Sequence, residues 1–226
     1  MPPRTDIQLW LDLEATGSLD EDEIVEVGLS MVETDNWTEI DSFSHVVEPS
    51  KAGWARMEAK QVVMDMHRAS GLYEDLVRQR EMMPGRFTID YTDELVEEWI
   101  KGIVGSSTTH IPVGGSGIPH YDRKFIKRDM PLLNRRLTHW HLDVGSTQRQ
   151  FEMFGRPWIK NPDGGKAHRA LADARFHFKE ALYLRTVLSY VKWDEVGPDG
   201  EFHIHDYGDA DYADMKAGRA TCVECG

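Results

Sequence analysis

Asp12 and Glu14 stand two residues apart inside the apolar run Ile7-Gln8-Leu9-Trp10-Leu11-Asp12-Leu13-Glu14. Such a run reads as a β-strand, where alternate side chains share a face, so the two carboxylates emerge side by side. Neighbouring carboxylates on a buried strand repel each other and lose hydration, a cost that a bound divalent cation offsets. Oxygen donors of this kind are what Mg²⁺ and Mn²⁺ prefer. The plainer alternative is a half-buried strand whose polar face is acidic. Further along, Asp122 opens a helical stretch after the Gly-rich loop Gly114-Gly115-Ser116-Gly117; alone, an Asp there reads as an N-cap. In His168-Arg169-Ala170-Leu171-Ala172-Asp173, the Asp lies five positions after the His. With His168 on a loop and Asp173 inside a helix, both can approach one site from different directions. The alternative is a His at a helix start and an exposed Asp.

These residues need elements to hold them. Residues 7 to 14 form a first strand, and Ile24 to Val32 alternates as a second. Trp37 to Val47 reads as a third, with Asn36 marking the hairpin turn. Residues 55 to 83 have a helical pattern that Ser70-Gly71 interrupts and Pro84-Gly85 stops. Thr92 to Lys101 reads as a helix with Thr92 as N-cap and Leu95, Val96, Trp99 and Ile100 as its buried stripe. A short strand over His110 to Gly117, a helix over Asp122 to Met130, a brief strand at Leu142-Asp143-Val144 and a long amphipathic helix over Arg169 to Val191 follow. Hairpin strands followed by alternating helix and strand predict an α/β domain with a mixed sheet.

Composition sets the class. The chain has 226 residues, 40% hydrophobic and 29% charged, as expected for a globular domain with a substantial core. No apolar stretch approaches the ~20 residues that span a bilayer, and the N-terminus lacks the apolar segment of a secretory signal. Cys222 and Cys225 are the only cysteines, which predicts a reducing, cytoplasmic setting. The net charge of −13 is uneven, since residues 194 to 214 hold eight acids and no Lys or Arg. A domain over 1–193 with an acidic tail over 194–226 is the expected organisation. The acidity weighs against a long, salt-sensitive electrostatic groove, though not against a short nucleic acid held through metal ions.

The order Asp-x-Glu, an Asp after a Gly loop, and a late His-x-x-x-x-Asp resembles the DEDDh branch of the DnaQ-like, RNase H-like 3′–5′ exonucleases. Within that branch the chain is most similar to oligoribonuclease. Leu11-Asp12-Leu13-Glu14-Ala15-Thr16-Gly17, Met64-Asp65-Met66-His67-Arg68-Ala69-Ser70-Gly71-Leu72, Asp122-Arg123-Lys124-Phe125-Ile126 with Met130-Pro131, Leu142-Asp143-Val144 and the His168–Asp173 segment carry the likeness, in the family's order over residues 7 to about 190. The resemblance implies an RNase H-like mixed sheet flanked by helices. It also implies Asp12, Glu14, Asp122 and Asp173 as ligands of two Mg²⁺ or Mn²⁺ ions, with His168 as general base. The activity it implies is hydrolysis of short single-stranded RNA to nucleoside 5′-monophosphates, with Thr16, Gly17, Leu19, His67 and Trp140 as substrate contacts, and a homodimeric assembly. Two alternatives stay open: a broader exonuclease on single-stranded DNA or RNA, and a catalytically silent nucleic-acid-binding protein on the same fold.

The chain departs from the family where substrate is selected. Ser18 stands where the family has Leu, with Leu19 one residue later, and Val62 replaces an aromatic residue. Trp140 and Gly145 fall where a basic residue and a Ser contact the far phosphate. Loss of those charge-assisted contacts predicts tolerance of longer single strands. Trp140 and Trp158 are candidates for base stacking, whereas Trp10 and Trp99 belong to the core by periodicity. Lys160, Lys166 and Arg169 surround His168 and can meet phosphates or form a solvated loop. Cys222-Val223-Glu224-Cys225, lacking a second pair, is weak as a zinc site.

Overall fold

The computed structural model describes residues 6–105, 110–153 and 166–190, with side chains placed through residue 186. Three strands open the chain: β1 (Ile7–Ala15), β2 (Ile24–Glu33) and β3 (Thr38–Val46). Helices α1 (Lys51–Glu58), α2 (Gln61–Ala69), α3 (Leu72–Met82) and α4 (Ile89–Val104) follow. Then come β4 (Ile111–Gly115), α5 (Asp122–Asp129), α6 (Pro131–Arg136), β5 (Leu137–Asp143), α7 (Val144–Met153) and α8 (Ala170–Tyr190). The sheet runs β3-β2-β1-β4-β5, with β1, β2 and β3 antiparallel and β4 and β5 parallel to β1. This is the mixed α/β arrangement expected.

Strand β1 is central and buried along its whole length. Leu9, Leu11 and Leu13 point to one face and join Val96 and Ile100 of α4, Phe125 and Ile126 of α5 and Leu133 of α6 in the main core. Trp10, Asp12 and Glu14 point to the other face, where Trp10 meets Phe178 of α8 at a ring separation of 5.5 Å. In the β1–β2 register Asp12 lies opposite Gly28, and Glu14 opposite Glu26. Gly28 permits a close approach: a Cβ there would lie 2.0 Å from the backbone N of Leu171. The absence of a side chain lets the start of α8 rest directly on the sheet beside Asp12.

Several boundaries differ from the pattern-based expectation. Helix α4 starts at Ile89 with Thr88 as N-cap, its hydroxyl accepting from the Tyr91 N–H; Thr92 lies inside the helix and donates back to the Thr88 carbonyl. Val96 and Ile100 are buried as expected, whereas Trp99 is half-buried and its indole donates to Asp41. Pro131 begins a separate helix, α6, whose free Leu132 and Leu133 N–H groups are taken by Asp93. The last strand is longer than expected, and Val144 starts α7 instead of ending it. As a sheet edge, β5 needs little apolar patterning, so its His- and Trp-containing sequence gave a weak signal.

The chain divides between Lys179 and Glu180, and of the C-terminal unit only residues 180–190 are described. The expected acidic tail, Trp158, Lys160 and the Cys222/Cys225 pair lie outside the described residues. No described helix is long and apolar enough to cross a membrane.

Candidate active site

The C-terminal half of β1 delivers Asp12 and Glu14, both buried, to the α8 side of the sheet. Asp122 is the first residue of α5, one place beyond the N-cap Tyr121. Its Oδ1 accepts the Leu13 N–H at 3.1 Å, tying the helix start to the strand between the two acids. From the other side comes α8. His168 takes a left-handed backbone (φ 54°) and remains exposed, while Asp173 is buried within the first turn of the helix. The Asp173 carboxylate accepts the Ala167 and His168 N–H groups at 2.7 and 3.1 Å, which holds the turn against the helix. One ligand atom each from Glu14, His168 and Asp173 lie within 4.8 Å of one another.

Glu26 anchors this arrangement. It accepts the Ala170 N–H at 2.8 Å and pairs with the Arg169 guanidinium at 2.9 Å, while Arg169 also reaches Asp75 at 3.0 Å. A carboxylate at a helix N-terminus is favourable both as a hydrogen-bond acceptor and against the helix dipole. The role of Glu26 was not anticipated. Its signal was present, because a carboxylate in the middle of the apolar run Ile24–Val32 needs a cationic partner when buried.

The electrostatics show what the cluster lacks. Burial first, and then the charges of Asp12, Asp173 and Glu26, push the Glu14 carboxyl up to about 8, with Lys166 pulling the other way. Burial raises Asp122 well above the ordinary carboxylate range, with Asp12 adding to it, and burial likewise raises Asp173. Carboxylates from three chain segments thus face one another with too little positive charge among them. Lys166, whose Nζ lies 3.6 Å from Asp12 Oδ1, is a partial answer. Hard oxygen donors in this density suit a divalent cation.

The expected substrate contacts divide by position. The loop after β1 is pinned: Asp22 accepts from Thr16, from the Leu19 N–H and from Lys60, while Tyr121 and Lys124 donate to the Gly17 and Ser18 carbonyls. On that fixed loop Leu19 is 52% exposed. His67, expected at a substrate phosphate, has no exposed surface. Its Nε2 donates to the Ala15 carbonyl at 3.0 Å, and its Nδ1 lies 4.0 Å from Glu14, so it sits behind the acid. Trp140 is 70% exposed, on the edge strand and beside His139. The structure therefore brings together Asp12, Glu14, Asp122, His168 and Asp173, sets the Thr16–Leu19 loop directly after them, and places Trp140 two strands from β1.

The chain is similar to known proteins in sequence and in shape. It is 32% identical over 179 residues to an oligoribonuclease of Nocardia farcinica, with 78% of each chain covered. It is 29% identical over 199 residues to an oligoribonuclease of Streptomyces avermitilis, covering 87% of this chain and 92% of that one. The chain belongs to the oligoribonuclease family. No family model matches it. Among solved structures, the nuclease domain of 3′hExo, described as a DEDDh family member bound to rAMP, superposes with a TM-score of 0.51 at 17% identity, covering 89% of this chain and 96% of that one. At that identity the match concerns the fold, and it agrees with the mixed sheet and flanking helices seen here. Membership in the oligoribonuclease family makes this chain a nuclease-type hydrolase.

Proposed function

We propose that this protein is a metal-dependent 3′–5′ exonuclease that hydrolyses short single-stranded RNA to nucleoside 5′-monophosphates. The observation that carries the reading is the convergence of Asp12, Glu14, Asp122 and Asp173 at the end of β1, with His168 exposed beside them. The raised proton affinity of Glu14, Asp122 and Asp173 supports these acids as cation ligands, since a divalent ion would replace the protons they otherwise retain. Two such ions, Mg²⁺ or Mn²⁺, held by Asp12, Glu14, Asp122 and Asp173, would supply charge stabilisation for an in-line displacement at phosphorus.

The chain's own residues do the rest. His168 takes the proton of the attacking water, whose oxygen bonds to the terminal phosphorus as the bond to the preceding 3′-oxygen breaks. Its left-handed turn is held by Asp173 and therefore keeps the ring at the mouth of the site. Thr16 and Gly17 are buried and shape the loop from within, Thr16 through its bonds to Asp22 and Glu23, while exposed Leu19 offers an apolar face to a base of the terminal nucleotide. Burial of His67 supports a role in holding Glu14 in place. Trp140 stacks on a base farther along the strand, in a site where aromatic contact replaces a phosphate clamp. A cytoplasmic homodimer, with residues 194–226 as an acidic appendage, completes the proposal.

The test is Mn²⁺-dependent hydrolysis of 5′-labelled RNA of two, five and twenty nucleotides, with matching DNA and an Asp12→Ala control. Shortening from the 3′ end that vanishes in the control is expected. A sharp preference for dinucleotides would overturn the role given to Trp140, equal rates on DNA would favour the broader exonuclease, and no shortening with Mn²⁺ still bound would favour a binding protein.

A further inference from the structure

Four residues beyond Asp173, His177 projects from the same side of α8 into the sheet. It is 1% exposed, and its Nε2 lies 3.6 Å from Asp12 Oδ1. That spacing is too long for a hydrogen bond. It does fit two atoms that share a cation: donors each about 2.1 Å from one ion, at bond angles of about 90–120°, lie roughly 3.0–3.6 Å apart. Lys166 approaches the same Asp12 oxygen at 3.6 Å, but its side chain is well exposed and can swing away. The imidazole, 1% exposed and against the Phe176 ring, has no such freedom.

Building on the metal-centre reading above, we propose that His177 contributes an imidazole nitrogen to the cation held at Asp12, and so biases the site toward Mn²⁺ over Mg²⁺. Mg²⁺ is a hard ion that favours oxygen and gives up water reluctantly; Mn²⁺ also favours oxygen, but as a softer first-row transition ion it accepts an imidazole nitrogen more readily than Mg²⁺ does. One nitrogen among carboxylates therefore shifts selectivity without changing the net charge of the ligand set. The neutral ring adds a donor where another carboxylate would only increase the repulsion already evident at Glu14.

The full-length protein loaded with Mn²⁺ tests this by pulsed electron paramagnetic resonance. Nitrogen-14 coupling to the ion is expected in the wild type and in His168→Ala, and its loss is expected in His177→Ala. The ratio of Mn²⁺ to Mg²⁺ affinity, measured by titration of the free Mn²⁺ signal, should fall about tenfold or more in the same variant. His177→Gln, which keeps a polar side chain without the ring, should give the same two results and covers the case in which the Ala variant does not fold. Unchanged nitrogen coupling and an unchanged affinity ratio in a folded His177 variant overturn the proposal. Mn²⁺ binding that ignores Asp12→Ala would instead overturn the metal centre itself, so the two failures are distinct.

Discussion

The two faces of β1 share one backbone and differ in what they do. Leu9, Leu11 and Leu13 enter a closed apolar core made with α4, α5 and α6. Trp10, Asp12 and Glu14 face α8 across a layer of charge that burial makes costly. Apolar burial stabilises by roughly 25 cal/mol per Å² removed from water, so the Leu face favours the fold under all ordinary conditions. The acid face opposes it, a cost that a bound cation would relieve. The contrast shows how a nuclease-family chain accommodates an electrostatically unfavourable site: it builds the site on a central strand whose other face lies in the main apolar core.

Substitutions that exchange the properties of the two faces should break the comparison most clearly. Asp12→Ala should abolish metal-dependent turnover while leaving the fold intact, or somewhat more stable without metal, as read by nuclease assay and thermal melting. His168→Ala should slow hydrolysis by about 10²–10⁴-fold through loss of the proposed general base, with little change in melting because the ring is exposed. Leu11→Ala, on the opposite face, should cost about 2–5 kcal/mol of stability by denaturant titration and leave the activity of the folded fraction nearly unchanged.

The acid face also predicts a pH effect. Glu14 sits near pH 8 in the folded protein against an ordinary value of 4.5, so the native state binds more protons than the unfolded chain between those limits. Without metal, the contribution of Glu14 to stability is therefore fully present below about pH 4.5 and is lost as pH rises toward 8. Glu14→Gln should flatten that slope, and a saturating divalent cation should raise the melting temperature most at the upper end. A melting curve for the metal-free protein that is level across this range would contradict the linkage. The smallest effect expected is that of Leu19→Ala, an exposed side chain, which should weaken substrate binding with no measurable change in melting.

Much of this arrangement was legible in the residues. The strand β1, the pairing of Asp12 with Glu14 and the start of α5 at Asp122 follow from period-two alternation and from a helix opening after a Gly-rich loop. Less could be read at β5, where an edge strand tolerates polar residues, and at α6, where Pro131 and Asp93 cooperate across nearly forty positions. Glu26 and His177 are legible only in part. A carboxylate inside the apolar run Ile24–Val32 calls for a cationic partner without saying which, and a lone His in a helix has many ordinary explanations; the fold supplies Arg169 for the one and Asp12 for the other.

The sequence by itself determined which chemistry is available: the four acids, the histidine and the elements that carry them are local in origin, set by hydrophobic period and turn residues. Tertiary structure decided how these groups meet. Gly28 lets α8 lie on β2, Glu26 fastens its first turn, and His67 lies buried behind Glu14. Such outcomes depend on close approach and shared burial between segments distant in the chain, which no local pattern encodes.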